Sequence, residues 1–171
     1  FLSHIRETDA IAHVVRCFED GNITHVEGSI DPVRDMDIIN TELCLADLES
    51  VDKKKTKTAK LAQAGIKQAK VDLPVLEKVY DALQNGTPAR ALTLSEDDLE
   101  VLKELNLITL KPVLYVLNMA EDDIADPLAN KFVQAASAEA EKEGAKWVPI
   151  SAEIEEEVSE LDGEEAKAFL E

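Results

Sequence analysis

The sequence predicts an α/β fold: a parallel sheet flanked by helices, with a long antiparallel helical hairpin inserted after the first strand. Three observations carry this. Short apolar runs rich in β-branched residues recur at residues 10–18 (AIAHVVRCF), 111–118 (KPVLYVLN) and 147–151 (WVPIS). A helical period stands between the last two runs, and the alternation of strand and helix implies right-handed crossovers in a parallel sheet. Between the first two lies a stretch of about seventy residues whose apolar positions repeat every three or four residues.

Each element has a local reason. Residues 1–7 read as the end of a helix, with Leu2 and Ile5 three apart. The run at 10–18 is apolar on both faces, as expected of a strand covered by helices on both sides, and Asp20-Gly21-Asn22 breaks it. Asp31-Pro32 offers an N-cap followed by proline at the first helical position. A helix is expected from 33 to about 64 and a turn at Gly65. A second helix carries Leu73, Leu76, Val79, Tyr80 and Leu83 and ends at Asn85-Gly86-Thr87-Pro88. Pro74 must lie in its first turn or kink it. Ser95-Glu-Asp-Asp98 reads as a capping box with Asp in the last position, opening a short helix that ends near Asn106. An amphipathic helix is expected from about 126 to 143, stopped by Gly144. Pro149 points to an edge strand, and acidic helices close the chain.

Composition narrows the function classes. Of 171 residues 45% are hydrophobic, typical of a globular chain, and no apolar run approaches the roughly 18 residues that span a bilayer. No membrane association is expected. Cys17 and Cys44 form neither a disulfide framework nor a zinc spacing, so a reduced, cytoplasmic protein is expected and no metal ligands are assigned. Lys and Arg total 18 against 36 Asp and Glu, a net charge of −18 that argues against DNA binding. The charge is segregated. Seven lysines (53, 54, 55, 57, 60, 67 and 70) stand between Lys53 and Val71 with no acid among them, near the expected hairpin tip. Such a block is either a solvated surface or a contact for an anionic partner. Residues 151–171 hold nine acids and one lysine, which read as a solvated face.

Ligands of open α/β sheets bind beyond the carboxyl ends of the strands. Two ends carry side chains of interest, Asn118-Met119-Ala120-Glu121 and Ser151-Ala152-Glu153. An apolar strand ending in Asn, a helix, then a strand ending in Ser-Ala resembles the base-recognition motifs NKxD and SA(K/L) of GTPase-like P-loop proteins. The plainer reading is that Asn118 caps the following turn and Ser151 the last helix. Among the histidines, His13 reads as a core residue of the first strand and His4 as a surface one. His25, in the irregular stretch after Gly21, is either an exposed loop residue or a group for water positioning or proton transfer.

The stretches FLSHIRETDAIAHVVRCFED at 1–20, INTELCLADLE at 39–49, ITLKPVLYVLN at 108–118 with its NMAE ending, VLEK at 75–78 and Lys142-Glu143-Gly144 together resemble the YchF, or Obg-like ATPase, family. The resemblance runs through essentially the whole chain. It implies the later half of a P-loop NTPase (G) domain at 1–32 and 111–171, with a helical coiled-coil insertion at 33–110. The family's members are described as cytosolic, ribosome-associated ATPases, some of them named redox-regulated, with a C-terminal TGS domain. For this chain the resemblance implies an ATP site, with GTP weaker and Mg²⁺ at the phosphates. Asn118, Met119, Glu121, Ser151, Ala152 and Glu153 would surround the base. Lys53, Lys54, Lys55, Lys57 and Lys60 would meet ribosomal RNA. The six glycines fit no GxxxxGK[ST] and no DxxG is present. The expectation is a fragment cut from a longer ATPase and inactive by itself, because phosphoryl transfer depends on groups at the γ-phosphate. The alternative is a non-enzymatic module in which the helical hairpin binds a partner and the sheet only anchors it.

Overall fold

A computed structural model describes residues 2–19, 30–152 and 156. The order of its regular elements is α1 (Leu2–Arg6), β1 (Ile11–Arg16), α2 (Pro32–Gln63), α3 (Lys67–Gln84), α4 (Glu96–Leu102), β2 (Val113–Asn118), α5 (Lys131–Lys142) and β3 (Lys146–Ile150), with short 3₁₀ turns between. The chain divides into two compact units: a helical one of residues 1–11 and 37–112, and a sheet unit of residues 12–36 and 113–171. The helical unit therefore takes in the amino-terminal residues as well as the hairpin.

In the helical unit, α2 and α3 form the expected hairpin. Its turn follows from Gly65, whose φ of 89° lets Ile66 N–H reach the Leu61 carbonyl while Gly65 N–H reaches Ala62. Cys44 and Val51 of α2 pack with Leu76, Val79 and Leu83 of α3, and Leu102 and Leu107 close the same cluster. Pro74 lies inside α3, beyond its first turn, where it cannot donate the i→i−4 bond. The capping box of α4 forms as the sequence predicts: Ser95 accepts from Asp98 N–H, and the Asp98 carboxylate accepts from Ser95 N–H. The helix then tightens into a 3₁₀ turn and ends at Asn106 in the left-handed conformation.

One contact in this unit is invisible to local pattern. Asp47, on α2, is completely buried. Its carboxylate accepts from Ile108 N–H at 3.0 Å, Thr109 N–H at 2.7 Å and the Thr109 hydroxyl at 2.6 Å. The Arg6 guanidinium stands 3.3 Å away and also donates to the Ala46 carbonyl. Lys111 donates to the carbonyls of Arg6 and Thr8. These bonds explain why residues 1–11 belong to the helical unit.

In the sheet unit the strand order is β1-β2-β3. β2 and β3 are parallel, with Asn118 beside Ile150. β1 runs the same way, since Ile11 N–H donates to the Pro112 carbonyl and, six residues on in both strands, Cys17 N–H donates to Asn118. β3, with Pro149, ends the strand order, as its proline predicts. Val15, Cys17, Tyr115, Leu117 and Met119 face a core completed by Val133, Ala136 and Ala140 of α5 and by Met36. The opposite face differs from the expectation of a doubly covered sheet. Val14 is 59% exposed, and Leu114 and Val148 are exposed beside it, because among the described residues α5 packs on one face only. No described helix is long and apolar enough to cross a membrane.

The start of α5 also differs from the sequence reading. Asp126-Pro127 opens a 3₁₀ turn rather than the helix, and α5 begins at Lys131 because Asn130 takes the cap, accepting from Phe132 N–H and Val133 N–H. Its end is as expected, with Gly144 at φ 71° and Ala145 N–H returned to the Ala140 carbonyl.

Candidate base-recognition site

The parallel register brings the two strand-end motifs together. Met119 N–H donates to the Ile150 carbonyl at 2.9 Å. Asn118, the last residue of β2, accepts through its side-chain oxygen from the N–H of Ala152, two residues past β3, at 3.0 Å, linking residues 34 apart in sequence. Ala152 is helical and exposed while Ser151 is buried. The Asn118 amide nitrogen has no hydrogen bond among the described residues, which leaves a donor at the strand end.

The other candidates occupy distinct positions. Met119 is 1% exposed and packs in the sheet core beside Val15, Leu117 and Val133, so its side chain is a floor, not a lining. Glu121 is exposed at the head of a 3₁₀ turn formed by Glu121–Asp123. That turn closes with Asp123 N–H on the Ala120 carbonyl and Ile124 N–H on Glu121. Glu153 and His25 lie outside the described residues. His13 is half-buried, 5.5 Å from the Tyr115 ring centroid. Burial lowers its pKa, with Asp35 opposing, which keeps it neutral near pH 7.

Sequence reasoning missed Asn130. Its position seven residues beyond Asp123 gives no periodic signal, and the helical period is expected from about residue 126. Its side-chain amide donates to the Cys17 carbonyl at 3.0 Å and to Asp123 Oδ2 at 2.9 Å while its oxygen caps α5.

Burial pushes the Cys17 thiol up to about 12, and the Asp35 charge adds to the shift. Burial raises Cys44 as well. Both thiols are buried, and the thiolate is the reactive form. Iodoacetamide at pH 8 is expected to leave both cysteines unmodified in the folded chain and to alkylate both in denaturant, read as two added masses. Labelling of the native chain at the denatured rate would show that one thiol is accessible.

The lysine block does not sit at the hairpin tip as a unit. Lys54 donates to the Val101 carbonyl and pairs with Glu104, whose carboxyl it holds below the usual range. Lys55 stands 3.6 Å over the Tyr80 ring. Lys53 pairs with Glu49 one turn back, fully in solvent. Lys57 and Lys60 are exposed and without a hydrogen bond or ion pair among the described residues, as are Lys67 and Lys70 across the turn. A groove of about 750 Å³ lies in this unit, lined by Lys54, Asp72, Val75, Asp97, Glu100 and Val101 among others. None of its residues belongs to the strand-end motifs, so its size is no argument for a nucleotide there. Among the described residues no cluster of three His, Cys, Asp or Glu side chains is placed to hold a metal ion.

A parallel sheet whose second and third strands end in bonded Asn and Ser-Ala motifs is part of a P-loop GTPase-type α/β domain. No family model matches the sequence, but individual relatives do. The chain is 46% identical over 171 residues to the ribosome-binding ATPase YchF of Bacillus subtilis, covering all of this chain and 47% of that protein. It is 43% identical to the protein of the same name from Escherichia coli O157:H7, covering 99% of this chain and 46% of the relative. Among solved structures, the Schizosaccharomyces pombe YchF GTPase matches 98% of this chain and 46% of its own, with a TM-score of 0.85 and 35% identity. Along its whole length the chain is similar to these YchF proteins, and it spans about half the length of the curated relatives it matches.

Proposed function

We propose that this chain supplies the base-recognition side of an adenine-nucleotide site in a ribosome-associated ATPase of the YchF kind, with Mg²⁺ and the phosphates held by groups other than the two strand-end motifs. The observation that carries the reading is the Asn118–Ala152 bond, which joins the two motif ends into one surface at the carboxyl edge of the sheet. The Asn118 amide donor suits the purine N7 acceptor, which adenine and guanine share. Ser151 and Ala152 supply backbone groups to the base edge. Selectivity then falls to Glu121. Where a GTPase places Asp to accept from the guanine ring N–H and amino group, adenine presents a ring acceptor, and a carboxylate there would face a lone pair. Glu, one methylene longer, does not reproduce the bidentate pairing. An unpaired buried polar group is worth about 1–3 kcal/mol, so preference for ATP over GTP is expected at roughly 5- to 150-fold.

The expected result is that Glu121→Asp, in the native protein carrying this sequence, raises GTP affinity relative to ATP severalfold. Titration of both nucleotides reads the ratio, and an unchanged ratio refutes this account of base choice. Adding Met119→Lys would complete the NKxD pattern but places a cation in the sheet core, so the single variant is the cleaner test.

The ribosome-binding character in the relatives' name extends to this chain through the exposed cations of the hairpin. Lys57 and Lys60, joined by Lys67 and Lys70 across the turn, are the lysines whose charge is available to phosphate. Lys53 is already shared with Glu49, Lys54 with Glu104 and Lys55 with Tyr80. Ribosomal RNA is the partner that fits such a patch on an otherwise acidic chain.

A further inference from the structure

We propose that Asn130 is a positioning residue for base recognition: its saturated side-chain amide fixes the turn that carries Glu121 to the ends of β1 and β2. This rests on the reading of Glu121 as the selectivity determinant.

A side-chain amide offers two N–H donors and two acceptor sites, and here all four are used. The nitrogen donates to the Cys17 carbonyl at 3.0 Å and Asp123 Oδ2 at 2.9 Å. The oxygen accepts from Phe132 N–H at 2.7 Å and Val133 N–H at 3.2 Å. Three segments meet at one side chain: the end of β1, the acidic turn after β2 and the first turn of α5. The Cys17 peptide extends the link, because its N–H donates to the Asn118 carbonyl at 2.7 Å. Asn130 thus reaches the Asn118 carbonyl through one residue, Cys17, and the Glu121 turn through one carboxylate.

The turn needs such a tether. Its own closure is a pair of 3₁₀ bonds, 3.0 and 3.2 Å long, and 3₁₀ geometry is weaker than α. Buried Met119 anchors it at one end, and the Asn130–Asp123 bond anchors it at the other, with exposed Glu121 between. No other residue type does all of this. Asp caps but cannot donate, Ser has a single hydrogen, and Gln is a methylene too long. A simple helix cap requires only the oxygen; the two donor bonds are in excess of that requirement.

The test uses the native protein carrying this sequence, with ATP and GTP as the probes. Asn130→Asp keeps the volume and the cap but loses both donors and sets a carboxylate against that of Asp123. Asp123→Ala removes the same tether from the turn side and leaves the cap untouched. Each is expected to move the ATP-to-GTP affinity ratio toward unity by roughly 3- to 10-fold, the size of one ordinary intramolecular hydrogen bond. Asp123→Asn in the Asn130→Asp background exchanges donor and acceptor and should recover much of the ratio. A ratio unmoved by either single variant, while Glu121→Asp does move it, overturns the positioning role and reduces Asn130 to a cap. If Glu121→Asp is also without effect, the base-recognition reading fails first and the positioning role with it.

Discussion

Replacing Asp47 with alanine is expected to destabilise the helical unit by about 3–5 kcal/mol, the range for removing one partner of a buried charged cluster. The substitution leaves the buried amides of Ile108 and Thr109 and the Thr109 hydroxyl without their acceptor, and it strips the carboxylate from Arg6. For a chain of this length the melting midpoint should fall by roughly 6–20 °C. Asp47→Asn keeps one acceptor oxygen and should fall between the alanine variant and the parent, because its NH₂ group then faces a donor amide. Calorimetry or denaturant titration reads both. A loss under about 1 kcal/mol for the alanine variant would mean that solvent or a shifted side chain satisfies the amides instead.

The second large effect concerns salt. Each phosphate neutralised by a protein cation steepens the dependence of log K on log salt by about 0.7–0.9. If the hairpin meets ribosomal RNA, changing Lys57, Lys60, Lys67 and Lys70 together to Gln should flatten the slope for ribosome binding by about 3, with nucleotide affinity unchanged. Changing Lys54 and Lys55 should flatten it far less, because Glu104 and the Tyr80 ring already hold those charges. Equal slopes for the quadruple variant and the parent would make the patch a solvated surface. A larger effect from the 54/55 pair would place the contact nearer the base of the hairpin.

What the sequence disclosed tracks the range of the forces involved. Helix ends were legible because their causes lie within four residues: Asp31 before Pro32, Ser95 with Asp98, Gly65 and Gly144. The meeting of the two strand-end motifs was legible because strands deliver their last residue to a predictable edge. Asp47 was not, because an acid on a helix reads as solvated and its partners lie 61 and 62 residues away. The start of α5 was misplaced for a related reason. Asp126-Pro127 satisfies the local rule, but Asn130 wins by adding two tertiary bonds to the cap. The lysine block read as one patch because composition sees charge and not neighbours. In three dimensions Tyr80 and Glu104 remove two of its members.

The Asp47 cluster also shapes how this sequence is free to drift. Its carboxylate recognises Ile108 through a backbone amide, which every residue but proline possesses. Selection at position 108 can act only through packing, and other apolar side chains should be tolerated there. Thr109 is recognised through its amide and its hydroxyl, so serine is its nearest substitute. Position 47 has no comparable latitude, since only a short carboxylate reaches both amides and the hydroxyl at once. Substitution is therefore expected to be tolerated least at position 47, little at 109 and most at 108.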